Sequence, residues 1–137
     1  MSNEYTKPLP KVTALTKPFW DGAKARQLRV QLCRDCGDVR FPPSPVCPRC
    51  LSDNQGWRVT SGRGTLESWI EFHRAYWPGF APELPYRVCL VRLYEGPVFV
   101  SNLVGDVEGA KLGAEVRALF NEITDEFTLP KFELVRD

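Results

Sequence analysis

Long apolar runs, histidines and repeats are scarce in this sequence, and each shortage excludes something. No apolar stretch approaches the ~20 residues needed to span a bilayer, so no membrane helix is expected. The opening residues MSNEYTKPLPKV lack the apolar segment of a secretory signal, and a cytoplasmic location is expected. There is one histidine, His73, with no Cys, Ser or carboxylate motif beside it, so no residue is assigned a catalytic role. Gly62-Arg63-Gly64 lacks the Lys-Ser/Thr of a phosphate loop and reads as a bend. No internal repeat or low-complexity tract is visible.

What is present is concentrated. Four of the five cysteines fall within CRDCGDVRFPPSPVCPRC, residues 33–50, as two Cys-x-x-Cys pairs ten residues apart. A thiolate pair at that spacing grips one edge of a tetrahedral ion, and a second pair closes the opposite edge. Cys33, Cys36, Cys47 and Cys50 are therefore the candidate metal ligands. Zinc in a structural ribbon is expected, although all-sulfur tetrahedral sites also hold iron. Four protein ligands leave no open position, so the metal is not expected to activate water. Gly37 follows the first pair, where a residue without Cβ permits the positive φ that turns N–H groups toward sulfur. Leu51 stands at the matching place in the second pair, and a different turn is expected there. The remaining Cys89 reads as an inert core thiol.

Residues 1–64 hold eleven Lys/Arg against five Asp/Glu, and residues 65–137 hold seven against twelve. The first half could thus face an anionic ligand, while the second is poorly suited to a phosphate backbone. Residues 1–17 read as an extended arm. A short helix is expected from residue 18 to about residue 26, capped by Thr16 and weakened by Gly22. Leu28, Val30 and Leu32 alternate with Arg29 and Gln31 as a strand. Phe41-Pro42-Pro43-Ser44-Pro45 reads as a stiff, extended crossing between the cysteine pairs.

From residue 57 onward strands and turns dominate. Residues 65–73 alternate with Leu66, Ile70 and Phe72 on one face, leaving Trp69 on the polar side. Residues 86–94 and 97–104 form an expected hairpin, and residues 116–123 and 127–135 the last two strands, with Pro130 marking a bulge or edge. The expected fold class is mainly β: an N-terminal short helix and zinc ribbon (18–56), then a five-stranded OB-fold barrel (57–137). Between strands lies the loop AYWPGFAPELP. Its Tyr76, Trp77 and Phe80 either fold down on the barrel or meet a partner or ligand.

The order Phe19-Trp20, CRDCG, FPP, CPRC, SGRGTLESW, ELPY, EGP and LPKFEL, over residues 18–134, resembles one family. It is the acyl-CoA-associated family with a rubredoxin-like zinc ribbon followed by an OB-fold, long catalogued as a domain of unknown function. Leu51 departs from it, since many members carry Gly there. The resemblance implies a zinc-binding, non-catalytic small subunit of a thiolase-fold complex acting on acyl-CoA thioesters. A heterotetramer with a thiolase-fold large subunit is implied, with a CoA thioester as ligand of the complex. Candidates for contact with CoA or that partner are Phe19, Trp20, Arg34, Arg40, Phe41, Arg49, Tyr76, Trp77 and Phe80. The alternative reading is a single-stranded nucleic-acid-binding zinc ribbon and OB protein; the acidic barrel half argues against it.

Overall fold

In the computed structural model, residues 7–136 are described. Helix α1 spans Lys17–Lys24 and buries Phe19, Gly22 and Ala23. Its stop differs from expectation. Arg26 does not extend the helix; it takes φ +65, and the Gln27 N–H returns to the Gly22 carbonyl at 2.8 Å, closing the helix end. Nor does Thr16 cap it. That residue occupies the N-cap position, but its hydroxyl accepts from the Thr13 N–H (3.0 Å) and leaves the helix N–H groups alone. A Cβ at Gly22 would lie 2.6 Å from Cδ of Arg29, so the Arg29 side chain would have to move aside for any larger residue.

Strands β1 (Arg29–Cys33), β2 (Val39–Arg40) and β3 (Gln55–Val59) form an antiparallel sheet of order β2-β1-β3. Gln31 was expected on a polar face, yet it is buried. Its amide donates to the Ser44 carbonyl (2.8 Å) and accepts from the Ser44 N–H (2.8 Å). This clamp holds the segment after Phe41, which is bent and contains a cis Phe41–Pro42 bond, where an extended crossing was expected.

The second sheet runs β6-β5-β4-β7-β8, all antiparallel, with β4 Arg63–Phe72, β5 Tyr86–Leu93, β6 Val98–Asn102, β7 Glu115–Glu122 and β8 Thr128–Leu134. Its two edges nearly meet. Val104 N–H donates to the Phe132 carbonyl (2.9 Å) and the Ser101 hydroxyl to the Pro130 carbonyl (2.7 Å). The result is a nearly closed five-stranded OB-like barrel, with Pro130 on an edge strand as its missing N–H requires. Within β4 the pairing slips between Leu66 and Ser68. One extra residue inverts the side-chain alternation beyond it. Trp69 consequently packs on the core, and Ile70, expected inside, is 57% exposed.

Ribbon and barrel share one core. Phe19, Phe41, Phe99 and Phe132 follow one another, with centroids 5.1 Å apart for Phe19–Phe41, 4.6 Å for Phe41–Phe99 and 6.0 Å for Phe99–Phe132. Helix, ribbon loop and two barrel strands each contribute a ring. Burial of such side chains, at about 1.5–3 kcal/mol each, drives the association of the two sheets.

Candidate functional site

The two cysteine pairs are presented by knuckles of the same shape. In the first, Gly37 N–H donates to the Cys33 carbonyl (2.9 Å) and Cys33 N–H to the Asp38 carbonyl (2.8 Å). In the second, Leu51 N–H donates to Cys47 (2.8 Å) and Cys47 N–H to Ser52 (2.8 Å). Gly37 has φ +82 and Leu51 φ +66. The different turn expected at Leu51 is therefore absent. Leucine adopts the left-handed conformation at a cost of about 1–2 kcal/mol, and its side chain is left 77% exposed.

The four sulfurs converge. Cys33 Sγ lies 3.6 Å from Cys50 Sγ, Cys36 Sγ lies 3.7 Å from Cys47 Sγ, and all four fall within 4.8 Å of one another. A tetrahedron with Zn–S bonds of about 2.3 Å has edges of about 3.8 Å, close to the two short edges of this cage. The surrounding backbone dipoles favour thiolate at two ligands, Cys33 and Cys47. The Cys36 backbone N–H, and to a lesser degree, against burial, the Gln55 side chain, lower the Cys33 thiol to about 6. Cys50 feels a lowering Ser52 N–H, yet burial and the three neighbouring sulfurs push it up to about 12. Metal binding has to displace that proton. These four cysteines form a zinc-ribbon site.

The arginines expected near an anionic ligand separate. Arg34 and Arg49 are exposed; Arg34 lies across the backbone of Gly56, and Arg49 stands 3.9 Å from Asp38. Arg40 is turned inward, its side chain 12% exposed, and bonds the Gln55 amide oxygen. It is no surface contact. Phe19 is likewise in the core, where it meets Phe41 and Trp20, both half-buried.

The aromatic loop divides between its two expected roles. Phe80, in a 3-10 turn at Pro78–Glu83, stacks on Tyr86 at 5.2 Å. Tyr76 remains 70% exposed and Trp77 half-exposed. The loop continues an apolar sheet face. Ser68, Leu90 and Val100 align across β4, β5 and β6; Ile70 and Val88 form the next row, and Phe72 and Tyr86 the next. Val100 is 59% exposed. Sequence alternation missed this face because it placed Ile70 inside; only the register slip reveals it. Of residues 1–17, Lys7 pairs with Glu83 and lies over the Phe80 ring, and residues 1–6 lie outside the described residues.

Cys89 is buried, and burial pushes its thiol up to about 11. His73 is exposed, 3.4 Å from Glu71. Between β5, β6 and β8 a cleft of about 210 Å³ is lined by residues including Arg87, Asn102 and Lys131, and burial lowers the Lys131 ammonium.

Residues 20–54 match the family model of the ChsH2 rubredoxin-like zinc ribbon domain, and residues 57–121 that of the ChsH2 C-terminal OB-fold domain. A probable enoyl-CoA hydratase alpha subunit of Thermomonospora curvata is 36% identical over 127 residues, 92% of this chain and 39% of that protein. The chain thus spans well under half of that relative's length. A DUF35 domain-containing scaffold protein of Methanothermobacter thermautotrophicus is 30% identical over 69% of this chain and 71% of its own length. Among solved structures, a chain of the Ltp2-ChsH2(DUF35) aldolase superposes with a TM-score of 0.83 at 35% identity, covering 92% of this chain and 98% of that one.

Proposed function

The chain belongs to the DUF35 family, in the ChsH2-type arrangement of zinc ribbon and OB-fold, and on that premise we propose a non-catalytic scaffold subunit of an acyl-CoA enzyme. Its partner is a thiolase-fold large subunit that makes or cleaves a carbon–carbon bond in a CoA thioester, two copies of each chain forming a heterotetramer. The relatives named for hydratase and aldolase chemistry support the acyl-CoA substrate class.

The observation that carries this reading is the apolar outer face of β4, β5 and β6. Ile70, Leu90 and Val100 are exposed side by side, and Tyr76 and Trp77 extend the patch. Of the charges around it, Arg87 is matched to Glu71 (3.0 Å) and Arg92 to Glu67 (3.6 Å), while Arg74 lies over the Tyr76 ring at 5.1 Å. A mainly apolar patch suits another protein surface better than a polyanion. Arg63, Arg117 and Arg136 are also paired with carboxylates, which disfavours a single-stranded nucleic acid on the barrel. The closed thiolate cage supplies structure, not a reactive metal. Arg34 and Arg49, both exposed on the ribbon, are the residues we propose for contact with CoA phosphates.

Co-expression with a thiolase-fold large subunit tests the proposal. A stable complex with thiolytic or aldolytic turnover of a CoA thioester, lost with Ile70→Glu plus Val100→Glu while zinc content and melting are kept, is the expected result. A wild-type chain that elutes alone, or turnover by the isolated chain, would overturn it.

A further inference from the structure

The metal cage sits beside a buried cation that no surface role explains. Arg40 lies on β2 opposite Gln31 of β1, and Cys33 of β1 lies opposite Gln55 of β3. Residues 31 and 33 share a sheet face, so Arg40, Cys33 and Gln55 share it too. The Arg40 Nη2 donates to the Gln55 amide oxygen. The Gln55 Nε2 donates to the Ser52 carbonyl of the second knuckle (3.0 Å), and Gln55 stands directly opposite Cys33 of the first in the pairing of β1 with β3. One residue therefore joins both knuckles, and the guanidinium holds the far end of its amide.

The Nε and Nη1 of Arg40 are buried and donate no hydrogen bond among the described residues. A buried guanidinium requires a counter-charge, because desolvation alone is prohibitive. Asp38 stands 3.9 Å away and is itself shared with Arg49. Asp35 is taken up by Ser52 and Asn54, and the loaded cage adds negative charge to the same ribbon: four thiolates around a divalent ion carry a net charge of −2.

We propose that Arg40 is a positioning residue for the metal centre: through Gln55 its guanidinium orients the Cys33 sulfur, and its charge offsets the zinc–thiolate cluster. Partners that orient ligands in this way change metal affinity by roughly 10–100-fold when removed. Hydrogen bonding to a thiolate also lowers the energy of its lone pairs. The cobalt(II)-substituted protein reports that directly through its sulfur-to-metal charge-transfer bands.

The test uses the full chain with Arg40→Met, Gln55→Leu, the double variant and Arg40→Lys. Expected are a roughly 10–100-fold faster transfer of zinc to a chromogenic chelator for Arg40→Met and for Gln55→Leu, and a red shift of the cobalt(II) charge-transfer bands in both. The double variant should be no worse than the worse single one, since both interrupt one path. Arg40→Lys, which keeps the charge without the fork, should fall between wild type and Arg40→Met. Lower melting with unchanged zinc transfer and unchanged cobalt bands would overturn the proposal, as would additive effects in the double variant. Should Arg40→Met fail to fold, Gln55→Leu and Arg40→Lys decide by the same two readouts. None of these measurements involves the large subunit.

Discussion

Gly64→Ala adds one methyl group to the middle of β4 and should be among the most damaging conservative changes in the barrel. Gly64 is paired on both sides, with Leu93 of β5 and Val116 of β7. A Cβ at this position would lie 2.3 Å from the Arg92 carbonyl oxygen and 2.8 Å from Cγ1 of Val91. Carbon–oxygen contacts begin near 3.3 Å, so the two strands must separate by about 1 Å. They cannot do so freely, because Arg92 is also in register with Thr65 and Val98. Overpacking of this kind costs about 1–3 kcal/mol, and a backbone obstacle places it at the upper end. Alanine's smaller unfolded-state entropy returns about 0.4–1 kcal/mol. The net expectation is a loss of about 2 kcal/mol, or roughly 6–10 °C in melting temperature for a chain of this size. Urea unfolding of the zinc-saturated protein, followed by tryptophan fluorescence, measures it. A free energy within about 0.5 kcal/mol of wild type would refute the steric argument. Zinc content should not change, since Gly64 touches neither knuckle.

Gln31→Leu removes both hydrogen bonds from the Ser44 backbone and should cost about 1–3 kcal/mol in the same unfolding assay; an unchanged midpoint would show that the clamp is dispensable. With zinc bound at pH 8, Cys89 should resist alkylation in the folded protein, because burial holds its thiol near 11, and labelling at the rate of a free thiol would contradict that. Glu115 accepts from the Tyr94 hydroxyl (2.6 Å) and from Arg63 (3.1 Å), which hold its carboxyl below the ordinary range. Its folded state thus releases the proton more readily than the unfolded chain, so its contribution is present above the unfolded value and lost as pH falls through the lowered one. The stability advantage of wild type over Glu115→Gln should hold from neutrality to about pH 5 and fade in acid; persistence in acid would reverse the assignment.

The metal ligands were legible because two-residue spacing is a local property, and so were the hairpin of β5 and β6 and the edge position of Pro130. What escaped depended on register. Trp69 and Ile70 exchange faces through a single inserted residue, which no alternation count can place. Gln31 looks like a solvent-facing residue until the Ser44 backbone is seen folded over it. Arg40 read as a surface cation because its partner, Gln55, lies fifteen residues away on another strand. Leu51 misled differently: a propensity argument asked for glycine, and ligand geometry overrode it. The exposed apolar face was hidden for the same reason as Ile70, and it is the feature on which the partner proposal stands.

The train of rings from Phe19 through Phe41 and Phe99 to Phe132 also limits how this architecture can be recombined. Phe41 comes from the ribbon and Phe99 from the barrel, so a break in the chain between the two sheets would open an aromatic seam on both fragments. A ribbon transplanted onto a different barrel would need a matching row of rings to seat it. Inheritance should therefore favour the two modules as one block.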